Sequence, residues 1–266
     1  MAASIRYVGP MSDAEPGGVL RSTGLPAGPR THVFERTRPV RLGDADQLGR
    51  LRLDSLARHL QDLATDDSVD SGMSQEPVVW LVRRAAITIE RWPRYLERLS
   101  YATFCTGSGP RWAERRTSAR GSAGGRLEAA VLWAAVDSVS GRPAQLSDLF
   151  HRIWGAGSGA RPVSARLLHP APPPGAEGRP WALRATDLDV MGHVNNAVHW
   201  EAVEEELARR LPGRIPVAAE CEYRIPLDRG THVRVVSEVE GGSLRLWLVS
   251  EGGVHASALV GTEPAD

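Results

Sequence analysis

Two stretches of the chain carry apolar residues at helical spacing, and each is framed by runs that alternate as strands do. In the first, Leu53, Leu56, Ala57, Leu60, Leu63 and Ala64 share one helical face. In the second, Trp200, Val203, Leu207 and Leu211 do so within a helix expected over 196–211. A strand over 33–42 leads into the first helix, with Pro39 marking an edge or a bulge. Four β-branched or aromatic-rich runs follow at 78–90, 99–107, 112–120 and 127–139, separated by glycine- and proline-bearing turns. The same order then returns. A strand over 181–186 precedes the second helix, and strands over 215–227, 232–240, 243–250 and 254–260 follow it, with Asp228-Arg229-Gly230 and Gly241-Gly242 as reversing turns.

Between the two series, residues 155–180 contain Gly-Ala-Gly-Ser-Gly-Ala and Pro-Ala-Pro-Pro-Pro-Gly, a linker composition. Residues 1–30 are rich in Gly, Pro, Ser and Ala without periodicity and read as a loose tail. The expected division is thus a tail over 1–30, one unit over 31–154, a linker over 155–180 and a second unit over 181–266.

The repetition holds residue by residue. Arg41, Asp44, Asp46 and Gly49 correspond to Arg184, Asp187, Asp189 and Gly192 at one offset of 143, and Leu48 and Leu51 fall on Met191 and Val194. The first copy carries Arg50, Arg52 and Leu53 where the second carries His193, Asn195 and Asn196. One half kept the scaffold without the polar cluster. A strand, a long helix and a run of antiparallel strands, given twice, is an α+β fold of two similar halves, each sheet burying one face under its helix.

Composition narrows the functional classes. The 266 residues carry no net charge, which argues against a nucleic-acid partner, and all 32 basic residues are arginine, which reads as the coding bias of a GC-rich genome. Cys105 and Cys221 cannot form a disulfide framework and suit a reducing compartment. No run approaches the ~20 apolar residues of a membrane span, and 1–21 lacks the pattern of a signal peptide. A soluble, cytoplasmic protein is expected. Ligand-spaced Cys/His clusters, nucleotide-binding glycine loops and serine-hydrolase elbows are absent, so neither a metal nor a cofactor is expected.

The chemistry concentrates in Asp187-Leu188-Asp189-Val190-Met191-Gly192-His193-Val194-Asn195-Asn196, where a strand meets a helix N-terminus. The first N–H groups of a helix lack intrahelical partners and can polarise a carbonyl placed against them. Asp189, ionised at neutral pH, can attack that carbonyl or activate a water, and His193 can hold the carboxylate or substrate or move a proton. Asp187 and Asn195 also suit a plain capping role. Cys221 sits in a strand pattern as a small buried residue.

This segment resembles the D-x-D-x-x-x-H-V-N-N signature of the hotdog-fold acyl-acyl-carrier-protein (acyl-ACP) thioesterases, and the resemblance extends through 78–90 and Arg91-Trp92-Pro93 over most of the chain from about Thr31. It implies tandem hotdog domains, each a curved antiparallel sheet around a long helix, with the two sheets joined edge to edge. It also implies hydrolysis of a fatty acyl thioester on the 4'-phosphopantetheine of acyl carrier protein. Catalysis then falls to the C-terminal half and much of the acyl pocket to the N-terminal half, with candidates on the first helix and over 80–89. Asp189 and His193 match the family's catalytic Asp and His, and Gly192, Asn195, Asn196 and Glu205 are the accompanying candidates for substrate binding. Asp189 also matches the essential Asp of single-hotdog acyl-CoA thioesterases.

Three positions depart from the family pattern. Met191 stands where plant members carry Asn, and Pro226 and Leu227 stand where an acid and a cysteine follow Glu222-Tyr223-Arg224. Acyl-CoA is therefore kept as an alternative substrate, and a non-catalytic acyl- or carrier-binding module as an alternative function; a homodimer is left open. An acidic carrier calls for a basic patch, for which Arg83, Arg84, Arg91, Arg94 and Arg98, or Arg111, Arg115, Arg116 and Arg120, are the candidates.

Overall fold

The computed structural model describes residues 32–155 and 163–265. The tail expected over 1–30 and the start of the linker lie outside the described residues. The chain order is β1 (Phe34–Pro39), α1 (Leu53–Asp70), β2 (Val78–Arg91), β3 (Arg98–Ser108), β4 (Trp112–Gly121), β5 (Arg126–Asp137), α2 (Asp148–Trp154), β6 (Arg179–Trp181), α3 (Val198–Arg210), β7 (Arg214–Tyr223), β8 (Val233–Glu240), β9 (Ser243–Ser250) and β10 (Gly253–Pro264).

All ten strands form one sheet in the order β1-β3-β4-β5-β2-β7-β10-β9-β8-β6. The second half repeats the first in mirrored order about the β2–β7 seam, where Arg84 faces Glu222, Ala86 faces Glu220 and Thr88 faces Ala218 in antiparallel register. Helices α1 and α3 lie on one face. The buried positions of α3, moved back by 143, are buried in α1 as well: Val198, His199, Trp200, Ala202, Val203, Glu206 and Leu207 answer Ser55, Leu56, Ala57, His59, Leu60, Leu63 and Ala64. One apolar core runs beneath both helices and includes Leu56, Leu60, Ile87, Val131, Trp200, Val203, Leu246 and Ala258.

Three local features differ from the sequence reading. The strand expected over 181–186 is three residues long, and the chain turns into a 3-10 segment over Ala185–Asp187 because Asp187 accepts from the Arg184 backbone and guanidinium. Helix α2 was not anticipated within the chain after β5. Ser147 caps it, and Phe150 and Trp154 pack with Met73, Cys105 and Ala113. The linker, where described, is a strap fixed to the sheet. The buried carboxylate of Glu222 accepts from the backbone N–H groups of Leu168 and His169, and Trp247 Nε1 donates to Pro170 O. Glu222 and Trp247 alternate with the core-facing Cys221, Tyr223, Leu246 and Leu248, so the strap covers the face opposite the helices.

Candidate active site

The polar segment between β6 and α3 folds into a tight turn that is closed by its own backbone. Asp189 N donates to His193 O and Gly192 N to Asp189 O, with Gly192 at φ 78°. Glycine is favoured there for that left-handed backbone, since a Cβ would meet nothing within 4 Å. Gly49, its counterpart in the first half, has φ 73°. Asp187 is buried and structural, holding Arg184 by its side chain and Asn195 N by its carbonyl.

The two equivalent aspartates have different surroundings. Asp46 accepts at Oδ1 from Leu48 N and Arg50 N and at Oδ2 from Arg50 Nε, each at 2.8 Å. Asp189, half-buried, accepts only Met191 N at 2.9 Å on Oδ1, which leaves Oδ2 without a protein donor among the described residues. His193 stands where Arg50 would lock the carboxylate. Its imidazole turns away, with Nε2 3.5 Å from Asp228 Oδ1. Asp228 is a partner that sequence reading missed, because it lies in the turn after β7 and reaches His193 only through an isolated bridge. It stands two residues beyond Pro226.

At the start of α3, Asn195 Oδ1 accepts Ala197 N at 2.8 Å and Asn195 O accepts Val198 N. Asn195 is thus engaged in a local turn just ahead of α3. The Asn196 carbonyl accepts from Tyr223 O–H at 3.2 Å, while the Asn196 N–H has no acceptor among the described residues. His199 beside it is fully enclosed, and burial lowers its imidazole to about 4, so it is neutral at physiological pH. Burial pushes the Cys221 thiol up to about 12, which fits an inert core residue.

Of the three consecutive glutamates on α3, Glu205 is exposed and makes no hydrogen bond or ion pair among the described residues. Glu204 reaches across to α1, where its Oε1 accepts Leu53 N at 2.6 Å. Glu206 is buried among Arg179, Arg209 and Ser237.

Two cavities lie between α1 and the sheet. A narrow one of about 20 Å³ touches Asn196, Tyr223, Gln61 and Trp133. A larger one of about 250 Å³ runs on past Trp133 to Ala64, Ser68, Trp80 and the α2 residues Phe150 and Trp154. The α1 lining, Ala57, Gln61, Ala64 and Ser68, steps along one helix face over about 16 Å at 1.5 Å per residue. Trp133 lines both cavities.

One group among the described residues has metal-ligand spacing, His169, Glu220 and Glu222, with ligand atoms within 4.8 Å of one another. Their atoms are already engaged. Glu222 holds the strap and Arg224, and His169 bonds Glu220 at 3.0 Å and Ser257 at 3.0 Å. The arrangement is a clasp for the strap.

The two arginine sets also separate. Arg115 and Arg116 turn inward, Arg115 pairing with the buried Asp67, so 111–120 does not form one basic surface. Arg91, Arg94 and Arg98 are exposed.

Residues 31–153 match the acyl-ACP thioesterase N-terminal domain and residues 176–259 its C-terminal domain. An uncharacterized protein of Mycobacterium tuberculosis is 28% identical over 217 residues, covering 82% of this chain and 87% of its own. Among solved structures, a 12:0-ACP thioesterase from Umbellularia californica superposes with a TM-score of 0.74 at 20% identity, covering 89% of this chain and 99% of its own. An acyl-ACP thioesterase from Bacteroides thetaiotaomicron does so at 0.73 and 18% identity, covering 87% and 98%. These structures share its fold. With both domains matched in order along a tandem hotdog sheet, the chain belongs to the acyl-ACP thioesterase family, a family of thioester hydrolases.

Proposed function

We propose that this chain releases free fatty acid from acyl-ACP at the Asp189 turn, with the acyl tail housed in the N-terminal half. The observation that carries the reading is the free oxygen of Asp189 beside its locked counterpart Asp46. An ionised carboxylate with an open lone pair and access to solvent suits a general base. Asp189 takes a proton from water as the water oxygen bonds to the thioester carbon, and the C=O electron pair moves onto oxygen. Collapse re-forms C=O, breaks the C–S bond and releases the pantetheine thiolate, which takes from Asp189 the proton that came from water. The Asn196 N–H is the available donor for the carbonyl oxygen as charge develops. His193 holds the phosphopantetheine arm or the leaving thiolate, Gly192 shapes the turn, and Asn195 holds the α3 start in position. Glu205, exposed on α3, is assigned to carrier contact.

In this reading, 31–154 supplies the chain pocket and 181–266 the chemistry, with 155–180 as the connecting strap. A homodimer would have to form away from the β2–β7 seam, which the chain's own halves occupy. Exposed Arg91, Arg94 and Arg98 offer the acidic carrier a surface. A cytoplasmic location suits two buried free cysteines and a carrier-bound substrate.

The test is thiol release from matched acyl-ACP and acyl-CoA panels, wild type beside Asp189→Asn. Turnover that collapses in a folded variant supports the reading, and the panel identifies the carrier. Binding of acyl-ACP without turnover in either protein overturns it in favour of a binding module.

A further inference from the structure

We infer that Gln61 on α1 is a catalytic residue of the second half's site, its side-chain amide donating to the thioester carbonyl oxygen beside the Asn196 N–H. The inference rests on the thioesterase reading and concerns which groups hold the carbonyl.

The near two-fold repeat pairs Gln61 with Glu204, and Leu53 with Asn196, at the same offset of 143 that aligns the two turns and the buried faces of the two helices. At one end of the repeat the cross-helix contact is made: Glu204 Oε1 accepts Leu53 N at 2.6 Å and closes the α1 start. That carboxyl group takes up the N–H that corresponds to the Asn196 N–H of the second half. At the other end, among the described residues, the corresponding N–H of Asn196 has no acceptor and the Gln61 side chain has no hydrogen-bond partner. The two residues instead share the wall of the cavity of about 20 Å³. That space is about the size of one water or one carbonyl oxygen. A carboxylate there would accept from Asn196 N and plug the site, as Glu204 does at the other end. An amide carries two N–H donors as well as an acceptor, so it can point a donor at the same oxygen that Asn196 N–H reaches. Two converging donors at a developing oxyanion are the arrangement that accelerates acyl transfer. Gln61 is half-buried at the point where the α1 face turns from Ala57 towards the larger cavity, so an acyl chain entering at Asn196 passes it.

The experiment measures kcat and KM on decanoyl-, dodecanoyl- and hexadecanoyl-ACP for wild type, Gln61→Leu, Gln61→Glu and Asp189→Asn. It is joined by calorimetric affinity for a dodecanoyl-CoA ketone analogue, which keeps the carbonyl and cannot be hydrolysed. Gln61→Leu is expected to lower kcat by about a hundred-fold, with any rise in KM no larger than the roughly ten-fold loss of the ground-state carbonyl contact. Gln61→Glu is expected to fall at least as far at neutral pH and to recover in part under acid conditions, where its new carboxyl can again donate. Analogue affinity should weaken about ten-fold in Gln61→Leu. Unchanged kcat in Gln61→Leu, while Asp189→Asn abolishes turnover, overturns the inference and leaves the thioesterase reading intact. A change confined to KM makes Gln61 a channel wall and also overturns it. If no protein turns over, the thioesterase reading fails, and equal analogue affinity in wild type and Gln61→Leu overturns this inference separately. Should the leucine variant fail to fold, Gln61→Met gives the same comparison.

Discussion

At Asp189 the difference between the two halves reduces to which side chain stands four residues on. Arg50 binds Asp46 through Nε at 2.8 Å, whereas His193 leaves Asp189 open. Placing arginine at the second position should transfer the lock. His193→Arg is expected to abolish thiol release about as completely as Asp189→Asn, with circular dichroism unchanged, since a bidentate or charge-assisted arginine contact both removes the free oxygen and stabilises the ionised carboxylate. This contrast was legible in the sequence, because the offset of 143 puts Arg50 and His193 at one position. Other features were not. Asp228 reads only as a turn residue until the β7–β8 turn brings it to His193, and Asn195 suits a cap or a substrate contact equally well until its Oδ1 is seen on Ala197 N. Residue identity states what a group can donate or accept, while the fold decides what is left over.

On α3, neighbouring glutamates have opposite consequences for stability. Glu204 is raised by burial from 4.5 to about 8, because its position at the α1 start is poorly solvated. It therefore stabilises the fold most below about pH 4.5, and that contribution is lost as pH rises towards 8. Burial would also raise Glu206, but hydrogen bonds from Arg209, Ser237 and Arg179 outweigh it and hold the carboxyl at about 2. Its contribution is present above pH 4.5 and lost as pH falls towards 2. Denaturant midpoints against pH should show both limbs. Glu204→Gln is expected to flatten the limb between 4.5 and 8, and Glu206→Gln to remove the acid limb and lower stability at neutral pH.

The same element scale governs chain selection. Trp133 lies between the narrow cavity and the larger one. Trp133→Ala should shift kcat/KM towards longer acyl chains and Ala64→Leu towards shorter ones, by about ten-fold per preferred step, as a methylene gained or lost in an apolar pocket requires. An acyl panel measures both. The amphipathic faces of α1 and α3 could be read directly from their spacing, and so could nine of the ten strands. Helix α2 could not, since seven residues give too short a period, and the strap's composition is that of any linker. Its order comes from Glu222, Arg224 and Trp247, more than fifty residues downstream, with Arg224 donating to His169 O.

Across the whole molecule, the repeated order of elements yields an α+β fold of two similar halves, and the family resemblance adds tandem hotdogs joined edge to edge; the mirrored strand order and the choice of β2 and β7 as the joining edges are properties of the folded sheet. That seam joins the two similar halves within a single chain. In an assembly of two identical chains, one gene position specifies both sites, so a carboxylate that plugs one helix start plugs its twin, and an arginine that silences one aspartate silences both. Joining the halves in a single chain removes that constraint. Glu204 and Gln61, like Arg50 and His193, are equivalent positions that carry different residues, so selection can act on chain length in one half and on turnover in the other without either change being copied across the axis.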